Sequence, residues 1–287
     1  MASMQRRLHL LILLACAACA VVPQTASSQT PSPMQEWQYP GGIMLEKVFQ
    51  PELPKWSVLL GAAALEQPIY EGSHRYRAEA GPAIDIRYYD IAFLSSGEGL
   101  GVNLIRGDTY RAGVSLGYDL GRRESEDFAR LHGLGNIDAA PVVKAFASWV
   151  VSKNVPVVVR ADVRRIVGSK GAAGLLGDLD LFMPLPGSSE TLLMLAGPSV
   201  SFANRQYTQR VFGVSNAQAQ ASGYEPYSAH GGDSAAGFGF SATKFITPHW
   251  LLNTDLSISR LLGSARDSPI TQTELQSLIE ISGSYQW

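Results

Sequence analysis

The sequence predicts an all-β protein, a transmembrane antiparallel β-barrel of about twelve strands within a range of roughly ten to fourteen. Three observations predict it. Only 17% of the 287 residues are charged and the mean hydropathy is +0.03, against about 25% charged in ordinary soluble domains. Yet beyond the N-terminus no run approaches the ~20 apolar residues of a spanning helix. Amphipathic segments of about 9 to 13 residues follow one another with a period of two, near the length that a tilted membrane strand requires. Finally, the C-terminal stretch alternates Ile279, Ile281, Gly283, Tyr285 and Trp287 against Glu280, Ser282, Ser284 and Gln286. Its apolar face ends in two aromatics, as an interfacial girdle requires. A half-buried strand of a soluble sandwich alternates in the same way and is the competing architecture. In lipid an open sheet would leave backbone groups unpaired, so the barrel must close.

Residues 1–28 read as a cleaved export signal. Arg6 and Arg7 are the positive region, Leu8 to Ala20 is an apolar run broken by His9, and Ala26-Ser27-Ser28 offers small residues for cleavage. The run is short for a membrane anchor. Leu13-Leu14-Ala15-Cys16 resembles a lipobox, an alternative form of the same signal. Both cysteines, Cys16 and Cys19, lie inside it, so the exported chain has neither a disulfide nor a thiolate site. Without the signal, 21 basic residues face 25 acidic ones, a net charge of −4 that offers nothing to nucleic acid. Residues 29–55 carry five prolines and read as a periplasmic lead-in with no fold of its own.

The barrel is expected over 56–287. Trp56, Val58, Leu60, Ala62 and Ala64 share one face, and Gln67 to Ser73 is a loop. Pro82, Ile84, Ile86 and Tyr88 form the next apolar face against Asp85 and Arg87, with a short strand near Ile91 to Leu94 and a Gly97-Glu98-Gly99 turn. Leu100, Val102 and Leu104 follow, then Ala112, Val114, Leu116 and Tyr118 against Arg111, Ser115 and Asp119. Gly121 to Asn136 reads as a charged loop. Val143 to Val151, a Lys153-Asn154 turn and Val155 to Val163 form the clearest hairpin. Ala173, Leu175, Leu179 and Leu181 alternate with Asp178 and Asp180, and Leu192 to Phe202 follows a Pro-Gly-Ser-Ser turn. Residues 204–234 are polar and rich in Gly, Ser and Gln, a surface loop or partial helix. Phe238 to Ala242, Trp250 to Ile258 and the terminal strand complete the set. An even strand number places both ends of the barrel segment on the periplasmic side.

Motifs of catalysis are weak. Gly113-Val114-Ser115-Leu116-Gly117 matches G-x-S-x-G, but that motif needs a strand-to-helix elbow and here the serine falls in mid-strand. No two of the five histidines stand at metal-ligand spacing, and His230 with Asp233, Ser228 and Ser234 reads as a solvated loop. Gly168-Ser169-Lys170-Gly171 lacks the glycine spacing of a phosphate-binding loop. No catalytic, cofactor or metal residue is therefore expected. Arg160, Asp162, Arg164, Asp178 and Asp180 occupy polar faces and are candidate lumen charges, either cross-strand pairs in a narrow interior or a selectivity lining.

Taken in order, a set of short motifs carries a family resemblance across nearly the whole chain beyond Trp56. They are Pro68-Ile69-Tyr70-Glu71-Gly72-Ser73, Arg87-Tyr88, Gly99-Leu100-Gly101, Gly117-Tyr118, Gly121-Arg122, Leu131-His132-Gly133-Leu134-Gly135-Asn136-Ile137, Tyr207, Phe212-Gly213-Val214, Ser259-Arg260-Leu261-Leu262-Gly263 and Asp267-Ser268-Pro269-Ile270. The chain resembles the MltA-interacting protein family (MipA/OmpV) of Gram-negative outer membranes. Asn136 stands where that pattern usually has an acid. The resemblance implies an outer-membrane barrel acting as a scaffold between a murein lytic transglycosylase and a murein synthase, and it implies no catalytic residues. A porin-like channel for small solutes or a surface adhesin is the alternative, and a membrane-embedded lipid hydrolase a remote one. The motif positions Tyr70, Arg87, Arg122, Asp267 and Ser268 are the candidate site residues, with equal claims as turn-formers.

Overall fold

The computed structural model describes residues 54–151, 156–167, 174–189 and 191–287. The chain forms twelve antiparallel strands. These are β1 (Trp56–Pro68), β2 (Tyr76–Tyr88), β3 (Ala92–Ser95), β4 (Gly99–Arg106), β5 (Tyr110–Asp119), β6 (Ala140–Val150), β7 (Val158–Ile166), β8 (Gly174–Pro184), β9 (Leu192–Ala203), β10 (Gly232–Phe245), β11 (Trp250–Leu261) and β12 (Leu275–Gln286). Each pairs with its neighbour in sequence, and β1 closes on β12 from Leu59↔Gln286 to Glu66↔Ile279, so the sheet is a closed barrel. β1 begins and β12 ends at the same rim, the terminal end, where the connections are mostly tight turns. The opposite rim carries the long loops. No helix among the described residues is long and apolar enough to cross a membrane.

Alternation sorts the side chains as the period of two requires. Leu100, Leu116, Val163, Leu179, Ile258 and Ile281 project outward and are exposed. Lys144, Arg160, Asp178, Asp255 and Glu280 project inward and are buried. An aromatic girdle rings the terminal end: Trp56 packs on Tyr88 (4.8 Å), and Tyr285 packs on Trp250 (5.2 Å) and Trp287 (4.6 Å). Outside is therefore apolar, inside polar, the inverse of a soluble barrel. The buried apolar residues fall into separate clusters. Val150, Val158, Phe182 and Leu195 fill the lumen near the terminal end, and the others lie under the loops at the opposite mouth.

Several boundaries differ from the sequence reading. β2 starts at Tyr76, six residues before Pro82, because Ala78, Ala80 and Gly81 give no apolar signal while Arg77 and Glu79 face inward. β10 likewise starts at Gly232. The loop after β5 contains a 3-10 turn at Glu124–Asp127 and one helical turn, α1 (Phe128–Leu131). The segment after β9 folds into α2 (Arg205–Phe212) and α3 (Asn216–Ser222), and α4 (Gly263–Arg266) precedes β12. Residues 1–53, the Lys153-Asn154 turn, Gly168 to Gly171 and Ala173 lie outside the described residues.

Candidate functional site

Three of the motif positions, Tyr70, Arg122 and Ser268, converge on the loop-end mouth, and α2 is what Arg122 and Ser268 hold. Asn204 caps this helix, its side chain accepting from Tyr207 N–H at 2.9 Å and from Leu175 N–H at 3.1 Å, which ties the helix start to β8. Tyr207, Thr208 and Phe212 turn into the mouth and are buried. Tyr207 packs with Ala140, Val142, Ile166, Leu176 and Ala203, so four strands receive it. A helix leaves its last carbonyls without partners. Here Arg122 donates to Val211 O at 3.0 Å and Ser268 Oγ donates to Phe212 O at 2.6 Å. A cation and a hydroxyl thus cap the negative end of α2 from two different loops.

Two further contacts lock the lid. Tyr207 donates its hydroxyl to Glu71 Oε2 at 3.1 Å, and Arg210 pairs with Asp119 at 2.5 Å. Around them lies a small cavity lined by Tyr70, Glu71, Asp119, Arg122, Tyr207 and Arg210. Burial pushes the Glu71 carboxyl above the usual carboxylate range, with the Tyr207 hydrogen bond opposing. Burial likewise raises both phenols, Tyr70 and Tyr207, and lowers the Arg122 guanidinium. Tyr70 is almost fully buried among Ile69, Leu131, Leu134, Val214 and Ile270, donates to Ile270 O at 3.4 Å, and lies 5.9 Å beneath Arg122. α3 braces the arrangement. Ser215 and Gln218 form its capping box, Gln218 Nε2 reaches Leu134 O at 2.5 Å, and Gly223 ends it in the left-handed conformation.

Below the lid, the interior carries charge. Arg160 is fully buried, donates to Glu98 Oε1 at 2.6 Å, stands 3.8 Å from Asp162 and lies 5.1 Å over the Phe146 ring. Arg164 pairs with Asp178 and approaches Asp162 at 3.6 Å. Asp180 faces Arg160 across the β7–β8 ladder. One step toward the terminal end, Arg111 pairs with Asp90 at 2.6 Å and Arg87 with Asp85 at 2.5 Å. Desolvated charges persist only when paired, and this ladder of alternating signs meets that condition.

Of the motif positions, Tyr70, Arg122 and Ser268 meet at the lid. Asp267 is exposed and paired with Arg266 at 2.8 Å, which holds its carboxyl below the ordinary value. Arg87 lies elsewhere, inside the barrel at the terminal end of β2. All five lumen candidates, Arg160, Asp162, Arg164, Asp178 and Asp180, point inward and are buried. Sequence reasoning missed Glu98, read only as a turn residue, together with Asp119, Glu71 and Arg210. α3 does carry a local signal in the sequence: Ser215 with Gln218 three residues on is a capping box, and Gly223 is its stop. Ser115 sits in mid-β5 facing inward, with no elbow and no hydrogen-bond partner for its hydroxyl among the described residues.

A closed antiparallel barrel with an apolar exterior, an aromatic girdle and a charged interior defines an outer-membrane β-barrel, here with a lid across its loop-end mouth. The chain belongs to the MltA-interacting protein MipA family, whose model matches residues 60–287. No curated protein matches it. Solved structures similar to it include the NanC porin, at 8% identity over 81% of this chain and all of that one, with a TM-score of 0.39. The CymD monoaromatic hydrocarbon channel is similar at 10% identity, covering 84% of this chain and 92% of that one, with a TM-score of 0.39. The outer membrane protein OprG from Pseudomonas aeruginosa shows 10% identity, 80% and 95% coverage, and a TM-score of 0.25.

Proposed function

We propose that the protein is a non-enzymatic interaction barrel of the outer membrane that anchors cell-wall enzymes at its periplasmic face, a murein lytic transglycosylase first and a murein synthase second. In this reading residues 1–28 are a cleaved export signal, 29–55 a tether, and the tight turns of the terminal end face the periplasm. The observation that carries the reading is the fastened lid. Arg122, Ser268, Asp119 and Glu71 each hold α2 in the mouth, and the charges beneath are committed to one another. A barrel built this way is suited to presenting surfaces rather than passing solutes. The family's name, MltA-interacting protein, supports the partner class.

The test uses the refolded mature protein. Its affinity for a purified murein lytic transglycosylase is measured by biolayer interferometry in nanodiscs, and its conductance in a planar bilayer. Saturable binding without steady conductance is the expected result. Ohmic conductance steps without binding would replace the scaffold with a solute pore.

A further inference from the structure

The barrel wall is notched. β3 has four residues and pairs with β2 only from Asp85↔Ser95 to Tyr88↔Ala92. The chain then turns back at mid-height. Ser96 docks beside β2, its N–H donating to Ile84 O at 2.9 Å and its hydroxyl donating to Pro82 O at 2.9 Å while accepting from Ile84 N–H at 3.0 Å. Above that point, among the described residues, no strand pairs with this edge of β2 from Tyr76 to Gly81, or with the facing edge of β5 from Gly117 to Asp119. The absent upper halves of two strands leave about 14 Å between β2 and β5 at the usual spacing of about 4.8 Å. Pro82, which has no N–H to satisfy, stands where the free edge begins.

The opening is framed on all sides. Its sill is the Ser96–Glu98 turn and its jambs are β2 and β5. Its lintel is the 3-10 turn, whose Asp127 pairs with Arg75 at 3.1 Å and whose Glu126 lies 3.7 Å from Arg77. The inner side is open, since a Cβ added at Gly81 or Gly117 would meet nothing within 4 Å. Tyr76 and Tyr118, exposed at the loop-side ends of their strands, mark the upper membrane interface. The opening therefore lies in the outer half of the hydrocarbon band.

Its two faces differ in polarity. Ala78, Ala80 and Tyr118 line it toward the lipid, whereas Arg77 and Glu79, paired at 2.9 Å, line it toward the lumen. The free backbone edge needs hydrogen-bond partners that hydrocarbon cannot supply. An added peptide strand would supply them, but it must run along β2, and the sill and lintel close the opening at both ends. An amphiphile enters sideways and suits both faces at once. We propose that this window binds a lipid of the outer leaflet, its ester and head-group atoms drawn in toward Arg77 and Glu79 and its tail left in the bilayer. The inference takes from the scaffold reading only its orientation, with the terminal end toward the periplasm, and is otherwise separate from it, because it concerns the wall and not the partners of the periplasmic turns.

The test reconstitutes the mature protein in nanodiscs containing phosphatidylethanolamine, whose phosphate suits Arg77 and whose ammonium suits Glu79, with a photoreactive diazirine near its ester carbonyl. Cross-linked residues are then mapped by mass spectrometry. Cross-links to the inward-facing Gly81 and Gly117, where an added Cβ would meet open space, are expected, and they should be lost in Gly81→Trp and in Gly117→Trp, each of which fills the window from one jamb. Cross-links to outward-facing Val163 and Leu179 should persist in both variants, which also reports that they fold. Cross-links confined to outward-facing residues, or inner cross-links that survive both tryptophans, would each overturn the proposal.

Discussion

Ser268 shows how a single hydroxyl serves a distant helix. It donates to Phe212 O and accepts from Ile270 N–H, so one atom joins the end of α2 to the loop before β12. Ser268→Ala removes a buried hydrogen bond worth about 1 kcal/mol and leaves the carbonyl unpaired. Amide exchange over 205–212 should then accelerate several-fold while the strands stay protected. Glu71 makes the lid pH-sensitive. Its folded pKa is raised by burial, so its contribution is fully present below the ordinary carboxylate pKa and is lost as pH rises through the folded value. Glu71→Gln keeps an acceptor for Tyr207 without the charge. The variant lid should exchange more slowly than the wild type at pH 7, and the difference should vanish near pH 4. Arg160 is fully buried and paired with Glu98, so its removal is costly. Arg160→Ala leaves Glu98 and Asp162 buried beside an empty site, and a loss of about 3–5 kcal/mol in urea unfolding from liposomes is expected.

At the scale of the element, the β1–β12 seam is the place where closure succeeds or fails. Gly61 lies opposite Ser284, and a Cβ added to it would come within 2.0 Å of Gly283 O and 2.7 Å of Ser284 Cα. These are backbone atoms that cannot step aside without breaking the ladder. Gly61→Val should therefore abolish the compact, heat-modifiable band on electrophoresis, whereas Gly283→Ala, whose added Cβ meets open space, should leave it intact. The short β3–β4 hairpin has a different logic. Its turn brings Glu98 inside, where the carboxylate meets Arg160, so the shortness that notches the wall also supplies the interior ladder with an anion.

For the whole molecule, the question is what blocks the lumen. The lid covers one mouth, but Val150, Val158, Phe182 and Leu195 pack inside near the other end, with the charge ladder between. Replacing 205–230 with a flexible Gly/Ser linker should therefore give a barrel that still inserts and remains heat-modifiable without steady conductance. Large ohmic steps from the lidless barrel would make the lid the sole plug, and the protein a gated pore.

The sequence by itself determined the class of fold, the approximate strand number and the orientation of the residues in the strongly alternating strands. These follow from a local rule: side chains alternate along a strand, and lipid imposes the same demand on every outward position. It also placed Arg160, Asp162, Arg164, Asp178 and Asp180 on the polar face by that rule, and the motif order carried the family. Where small residues replaced large apolar ones, as in Tyr76 to Gly81, the signal faded and half of a strand went unread. Only the tertiary structure decided that Arg160 answers to Glu98, that Arg122 and Ser268 cap a helix far along the chain, and that the wall opens between β2 and β5. Those contacts join residues brought together by register, barrel closure and the folding back of loops, and no periodicity within one strand encodes which charge will stand across the lumen from it.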